Sequence, residues 1–220
     1  MNQKCSAYLT IGLLLSAMIW PAAAASQQSA DTITIHVYNY AAVQENTLAR
    51  AKDEAGRIFG YADLRALWVD HTVNIPDDQR RPRGAREPWN DTHFVLRLLT
   101  QPRSELARYA MGEALSFRIA NVFMNRVTGH LTVRELSAGQ MLGHAIAHEI
   151  GHHLLGDNSH APQGIMVAKW KKRDLRRMAK GDLLFTGQEL KRIQETVKSR
   201  SRSPVRLSDK REEIQTTSQD

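Results

Sequence analysis

Hydrophobic and polar residues alternate in several short stretches of this chain, and the alternation predicts β-strands. Residues 33–40 are β-branched and aromatic with partial alternation, which favours a strand. The same reasoning predicts strands at residues 64–69, 94–99 and 119–127, and a short strand at 131–133. Much of the chain before residue 134 is therefore expected to form a sheet of short strands.

Two other stretches carry a helical pattern. Residues 48–59, which follow Thr47, have an apolar face and predict an amphipathic helix of about four turns. Near the end of the chain, Thr186 and Glu189 have the spacing of a capped helix start, and this helix is expected to run to about residue 198. Both helices have polar faces suited to contact with water.

A third helix is expected between them, and it is the most apolar. Ser137 and Gln140 have the spacing of a capping box, in which two side chains satisfy backbone amides at a helix start. An apolar stripe at helical spacing follows as far as Leu154, and Gly156 is expected to end the helix. The pattern as a whole predicts an α+β fold in which a small mixed β-sheet packs on this central helix, with a C-terminal helix after it.

Length and composition predict one folded domain. The chain has 220 residues, of which 42% are hydrophobic and 24% charged, as in ordinary globular proteins. We expect a single domain over residues 31–200 and a disordered tail over 201–220, which is polar. Residues 75–90 are rich in Pro, Arg and Asp and predict a long loop or mobile insertion, with a lid as one hypothesis for its role.

The N-terminus has the layout of a secretory signal peptide. Lys4 supplies a positive charge, residues 8–20 form an apolar run, and residues 21–26 are mostly small. The alternative is an uncleaved membrane anchor, but the run of about 13 residues is shorter than the roughly 20 that a spanning helix needs. We therefore expect a cleaved signal over residues 1–25, a secreted or periplasmic protein, and no stable membrane anchor.

Cysteine content limits the kind of metal site. Cys5 is the single cysteine and would leave with the signal peptide. The mature protein would then have neither a disulfide nor a thiolate ligand. Any metal must be bound by His, Asp or Glu.

The chain is basic, with a formal net charge of +7. Much of the excess lies in residues 169–180 and 191–206. Nucleic-acid binding is one interpretation, but no nucleic-acid-binding motif accompanies the charge. A solvated helix face, with anionic envelope surfaces as one contact, is the favoured interpretation, and no nucleic-acid partner is expected.

His148, Glu149 and His152 lie within the predicted central helix at a spacing that suits one metal ion. Four residues of helix correspond to about 400° and about 6 Å of rise, so the two imidazoles project from one face. Both can reach a single ion at about 2.0–2.1 Å, while Glu149 can contact a water on that ion. The alternative is two surface histidines with a chance glutamate, but an apolar helix has little other reason to bury three polar groups.

A catalytic zinc takes three protein ligands, so a third must come from elsewhere. His160 is the first choice, because a chain that turns sharply at Gly156 can return a nearby side chain under the helix end. The competitors are Asp157, His153, His144 and a distant carboxylate such as Glu189.

The competing residues have other expected roles. His144 lies one turn before His148, where a supporting or merely solvated role is favoured over ligation. His153 points about 100° away from His152 and is expected to be structural. Asp157 is expected to cap the helix or turn the chain.

Residues 148–156, His160 and the Gly164–Ile165–Met166 sequence together resemble the metzincin group of zinc peptidases. The resemblance implies a zincin-like fold, zinc bound by His148, His152 and His160, and Glu149 as general base. It also implies that Met166 supports the site from below. The spacings from His152 to Gly156 and from Gly156 to His160 are each one residue longer than in the usual pattern. The His-Ala-Pro-Gln-Gly-Ile-Met sequence also resembles that of bacterial exported proteins, a resemblance that implies no particular substrate.

The sequence thus predicts a zinc-dependent hydrolase, preferably a peptidase that uses a metal-activated water and acts on peptide or protein substrates. Two alternatives stay open: a non-catalytic metal-binding envelope protein, and a zinc amidase or hydrolase acting on a non-protein substrate. Glu149 favours an enzyme, because a structural zinc site is closed by a fourth protein ligand and needs no base.

Overall fold

A computed structural model describes residues 31–72, 91–102, 110–116, 118–156 and 159–202. The predicted signal peptide at 1–25, the predicted loop at 75–90, Asp157 and residues 203–220 of the predicted tail lie outside the described residues. Those expectations remain predictions.

The described part of the chain forms five strands and five helices. They are β1 (Asp31–Asn39), α1 (Glu45–Gly60), β2 (Leu64–His71), β3 (His93–Leu99), β4 (Gly112–Leu115), β5 (Ile119–Phe123), α2 (Met124–Gly129), α3 (Ala138–Leu155), α4 (Lys172–Ala179) and α5 (Gly187–Arg202). The predicted class is confirmed: a small mixed sheet packs on the central helix α3, and a C-terminal helix follows. Within these ranges no helix combines the length and apolarity needed to cross a membrane.

The sheet has the strand order β2-β1-β3-β5-β4. Strand β1 pairs in parallel with β2 and β3, and β3 pairs in parallel with β5. Helix α1 is the crossover that the parallel β1–β2 pair requires. Strand β4 is antiparallel to β5 and lies at one edge of the sheet, which matters for the site described below.

The core lies between one face of the sheet and the helices α1 and α3. Ile33, Ile35 and Val37 alternate along β1 and are buried in one apolar cluster with residues of both helices. In α3, 14 of 18 residues are buried, so water reaches very little of it. A helix that is apolar on nearly all sides belongs in the interior, and it carries its few polar side chains there with it.

Two strand predictions are corrected. The predicted strand at 119–127 ends at Phe123, because residues 124–129 form α2, where only Val127 is buried and no strand alternation continues. Residues 131–133 are not a strand. Strand β4 was not predicted, since its Gly-Glu-Ala-Leu sequence has no β-branched residue; pairing with β5 creates it.

Capping predictions agree better with the structure. The Ser137 hydroxyl accepts from the Gln140 backbone amide at 3.2 Å, and the Gln140 side chain accepts from the Ser137 amide at 3.2 Å, which confirms the capping box. Thr186 and Glu189 make the same reciprocal pair at the start of α5. Helix α5 continues to Arg202, beyond the predicted end at 198, and α1 begins at Glu45, two residues before Thr47.

Candidate metal centre

The last two turns of α3 bring His148 and His152 together. Their Nε2 atoms are 3.1 Å apart, and their rings are nearly perpendicular, with centroids separated by 4.8 Å. This closeness follows from the four-residue spacing on a helix. Two nitrogens at this distance can face one metal ion.

His160 joins the pair from the connection after α3. The helix ends at Leu155, and Gly156 has a φ of +89°, a value that favours glycine and redirects the chain. The His160 ring centroid then lies 4.8 Å from that of His152 and 5.5 Å from that of His148. Within the described ranges these three residues are the one set of His, Cys, Asp or Glu that can hold a metal ion, with ligand atoms all within 4.8 Å of one another.

Contacts behind the rings orient the two helix histidines. His148 Nδ1 lies 2.8 Å from the Ile165 carbonyl oxygen. Because a carbonyl only accepts, Nδ1 carries the hydrogen and Nε2 presents its lone pair to the other histidines. His152 Nδ1 lies 2.8 Å from the Ser159 hydroxyl oxygen, which can accept in the same way. Metal-bound histidines commonly have such outer contacts, which fix the tautomer and the ring orientation.

Trp170 forms one wall beside His148. The Trp170 indole donates to the same Ile165 carbonyl at 3.0 Å, and its ring meets His148 edge-on at a centroid distance of 5.5 Å. The half-buried indole therefore restricts the movement of His148 and of the turn that carries Ile165.

Burial keeps the two helix histidines uncharged. Burial is the largest cause and the neighbouring imidazoles, including His160, act in the same direction, so the pKa of His148 is lowered to about 3 and that of His152 to about 4. A neutral imidazole has a free lone pair, which is the form that binds metal. The site is thus ready to accept a cation at neutral pH.

Glu149 lies beside this cluster and outside the set of three. Its side chain is buried, and burial raises the pKa of the carboxyl to about 8, with Glu113 as a second cause. No described lysine or arginine forms an ion pair with Glu149. A divalent cation held by the neighbouring imidazoles would lower this pKa again, because a nearby positive charge favours the carboxylate. The donors and the carboxylate therefore fit a metal ion.

Strand β4 packs against Glu149. A Cβ added at Gly112 would meet the Asn121 carbonyl oxygen and would lie 2.7 Å from Glu149 Cγ, so only glycine fits there. The next residue, Glu113, accepts a hydrogen bond of 2.8 Å from the Asn121 side chain. No sequence pattern predicted this contact, because β4 itself was not predicted.

Met166 packs against α3 at Gly151, which lies between His148 and His152 in the sequence. It is fully buried, and a Cβ added at Gly151 would lie 2.8 Å from its sulfur and 3.0 Å from the Phe185 ring. The turn that carries it is closed by a 2.9 Å hydrogen bond from the Ala161 amide to the Met166 carbonyl. The methionine is thus buried against the helix that carries His148 and His152, and the supporting role that the resemblance implied stays a prediction.

Replacing Gly151 by alanine is expected to destabilise the metal-free protein by about 1–3 kcal/mol, because the added methyl group overpacks the contact with Met166. Gly56→Ala in α1 is the matched control: nothing lies within 4 Å of the added Cβ, and a gain of about 0.5–1 kcal/mol is expected. Urea midpoints of the two variants measure the difference. Equal stability of Gly151→Ala and the parent protein would contradict the packing described here.

Three other candidate ligands, His144, His153 and Glu189, are not part of the set that can hold a metal ion. His144 is fully buried and not solvated: its Nδ1 contacts the Gln140 carbonyl at 2.9 Å and lies 3.6 Å from Glu54. His153 has the structural role expected of it, with Nε2 at 3.0 Å from the Ile119 carbonyl oxygen. Glu189 accepts from the Thr186 amide at 2.6 Å as a helix cap.

A second group of histidines, not singled out in the sequence, lies on the sheet. His36 Nδ1 is 2.9 Å from His71 Nε2, and His36 Nε2 is 3.1 Å from His93 Nδ1. Because a neutral imidazole has one donor and one acceptor nitrogen, His36 donates on one side and accepts on the other. The group is a hydrogen-bonded row across β2, β1 and β3, and its lone pairs do not converge on one point. Only strand register brings these residues together.

Solved structures of low sequence identity resemble this chain. One is a zinc-dependent peptidase from Methanocorpusculum labreanum, with 16% identity and a TM-score of 0.48, over 72% of this chain and 99% of that chain. Archaemetzincin from Methanopyrus kandleri has 14% identity and a TM-score of 0.49, over 79% of this chain and 99% of that chain. Myroilysin has 11% identity and a TM-score of 0.29, over 73% of this chain and 71% of that chain.

No protein-family profile matches the sequence, and no curated protein matches it. At the identities and TM-scores above, structural similarity carries no argument about activity. The function has to be inferred from the site itself.

Proposed function

We propose that this protein is a zinc-dependent hydrolase that cleaves peptide bonds, with His148, His152 and His160 as zinc ligands and Glu149 as the general base. One observation carries the proposal: three imidazoles converge within 4.8 Å of one another, beside a buried carboxylate that is not one of them. A structural metal site needs no such carboxylate, whereas metal-assisted hydrolysis does.

The donor set favours zinc. Three imidazoles without a thiolate are a common ligand set of catalytic zinc sites, which keep a fourth position open for water or substrate. When bound, zinc polarises a substrate carbonyl as a Lewis acid and lowers the pKa of a coordinated water toward about 7. His160 is exposed, so solvent and substrate can reach the cluster past this residue.

Glu149 is placed to move a proton. Its side chain is confined between α3 and Gly112 of β4, so the carboxylate has little freedom to turn away from the site. A carboxylate oxygen of Glu149 would accept a proton from the attacking water and later give it to the leaving amine. Burial and Glu113 raise the pKa of this carboxyl in the metal-free protein, and the positive charge of a bound zinc would lower it again, which would leave the carboxylate ionised and able to accept a proton.

The edge strand supports a peptide substrate over other amides. Strand β4 ends the sheet in the described part of the chain, and it contacts Glu149 directly. The free side of an edge strand offers backbone donors and acceptors in the spacing of an extended peptide. A peptide bound there would run past the general base.

Export to the periplasm or the outside remains part of the proposal and rests on the N-terminal sequence alone. The apolar run at residues 8–20 and the small residues after it support a cleaved signal peptide. The proposed partner is accordingly a peptide or protein met outside the cytoplasm, and not a nucleic acid.

Metal removal and reconstitution test the function. The purified protein is treated with a chelator, divided, and incubated with a mixed peptide library with or without one equivalent of zinc. Mass spectrometry of the products is expected to show cleavage only with zinc, and a fall to background after chelation, because no described side chain can replace the Lewis acid.

Three outcomes would contradict the proposal. Cleavage by the metal-free protein would exclude the metal mechanism. A zinc-loaded protein that leaves peptides intact but hydrolyses non-protein amides would favour an amidase. A zinc-loaded protein inert toward both would favour a metal-binding protein without turnover.

A further inference from the structure

Helix α4 carries a strongly basic surface next to the metal centre. The exposed residues Lys172, Arg173, Arg176 and Lys180 form this basic surface. The opposite side of the helix, with Leu175 and Met178, is buried in the core. Residues 169–182 include seven basic residues and two acidic ones, so the surface is far from neutral.

The arrangement is unfavourable for the isolated helix. Lys172 and Arg176, and again Arg176 and Lys180, are four residues apart, where like charges repel on the helix surface. Lys172 and Arg173 also stand in the first turn, where the helix dipole disfavours positive charge. A negatively charged partner would relieve both effects.

Nearby acids in the described structure do not neutralise the surface. Asp174 is buried and accepts the Lys171 amide at 2.9 Å, with Arg173 no closer than 3.9 Å. None of the described carboxylates forms an ion pair with Lys172, Arg176 or Lys180. Their charge is therefore available to an outside partner.

The basic surface continues directly from the wall of the metal centre. Trp170 touches His148, and the Cα of Lys172 is at most about 8 Å from the Cα of Trp170. Helix α4 has eight residues and extends about 12 Å farther. An extended peptide advances about 3.3 Å per residue, so about six residues reach from Trp170 to the end of the basic surface.

We propose that the basic surface binds an acidic stretch of the peptide substrate, in the roughly six residues that extend from Trp170 along α4. The proposal rests on the proposed peptidase function and adds a substrate class to it. The segment after Trp170 attracts Asp- and Glu-rich peptides, and the metal centre then acts on the neighbouring bond.

A membrane or a nucleic acid fits this surface less well. The exposed large hydrophobic residues of the described chain are Tyr61, Leu67, Val69 and Leu115, and none of them lies on α4. An interfacial helix needs apolar side chains to insert between lipids, and a single-stranded nucleic acid needs aromatic rings to stack on. An extended acidic peptide needs neither.

Matched peptides test the proposal. The zinc-loaded full chain is given a cleavable neutral peptide that is extended by six Glu or by six Ser residues. The extension is placed before the cleaved bond in one pair of peptides and after it in another pair. At low salt, an acidic extension on one side is expected to lower KM roughly 5- to 10-fold relative to the Ser extension, and 0.5 M NaCl is expected to abolish this discrimination. In the Lys172→Gln/Arg176→Gln variant the ratio of the two KM values is expected to approach one.

Lys191→Gln/Lys198→Gln on α5 is the matched control, since it removes the same charge from exposed positions. This variant is expected to keep the discrimination. The α4 variant is not expected to melt at a lower temperature than the parent protein, because it removes like-charge contacts. A lower melting temperature of that variant would contradict the repulsion on which the proposal depends.

The outcomes separate this proposal from the proposed function. Equal KM values for acidic and neutral peptides would overturn the substrate class and leave the peptidase intact. If no peptide is cleaved, the proposed peptidase function fails, and binding of a fluorescent acidic peptide then tests the basic surface by itself. Loss of this binding in the α4 variant would support the proposed role of the surface, and unchanged binding would overturn it. If the α4 variant no longer binds phosphatidylglycerol vesicles but keeps the parent ratio of KM values for acidic and neutral peptides, the proposal would be overturned in favour of a membrane.

Discussion

Glu149→Gln is expected to lower kcat for peptide cleavage by about 10²–10⁴-fold, because it removes the group that accepts a proton from water. Glutamine has nearly the same shape, so the contact with Gly112 is expected to persist. The zinc content of the variant is expected to equal that of the parent protein, since Glu149 is outside the set of three ligands. Steady-state kinetics and metal analysis of the same preparation measure both quantities.

Glu135→Gln is the control for this substitution, because Glu135 is exposed and precedes the start of α3, whereas Glu149 lies in the last two turns of that helix. It is expected to retain the parent rate. A zinc-loaded Glu149→Gln protein that cleaves peptides at the parent rate would rule out the proposed base. Loss of zinc together with activity would instead make Glu149 a ligand.

His160→Ala is expected to weaken zinc binding by more than about 100-fold. Loss of an outer contact to a metal-bound histidine commonly lowers affinity 10- to 100-fold, and loss of a ligand removes a bond to the metal itself. Competition with a chromogenic chelator measures the affinity. The activity is expected to disappear at zinc concentrations that saturate the parent protein.

His153→Ala and Asp157→Ala complete the comparison. His153 has the same side chain as His160 but contacts the Ile119 carbonyl, so its loss is expected to leave zinc affinity nearly unchanged. Asp157 was the competing ligand and lies outside the described residues. Zinc lost from Asp157→Ala and kept by His160→Ala would show that the third ligand was wrongly chosen.

Most of the fold that surrounds the site could be predicted from local patterns. The Ser137–Gln140 capping box and Gly156 fixed both ends of α3 because capping depends on side chains within one helical turn. Alternation predicted β1, β2 and β3 for the same reason, since burial of every second residue is visible in the sequence. The strand at 119–127 was too long, because an apolar run alone does not distinguish a strand from a buried helical turn.

The surroundings of the candidate ligands could not be predicted in this way. Ser159 and the Ile165 carbonyl, which orient His152 and His148, are ordinary residues of a connection without a motif. Gly112 and Glu113 reach Glu149 only because β4 pairs with β5 at the edge of the sheet. No periodic pattern of hydrophobic and polar residues predicts any of these contacts.

The sequence by itself determined that two imidazoles and a carboxylate project from neighbouring positions of one buried helix, because helical geometry fixes the relation between residues four apart. The tertiary structure alone decided that His160 lies beside these imidazoles, although the spacings from His152 to Gly156 and from Gly156 to His160 are each one residue longer than usual. It also decided that Trp170, Met166 and the edge strand pack around the cluster. The physical reason is that local geometry repeats within a few residues, whereas contacts between distant segments depend on how the whole core packs.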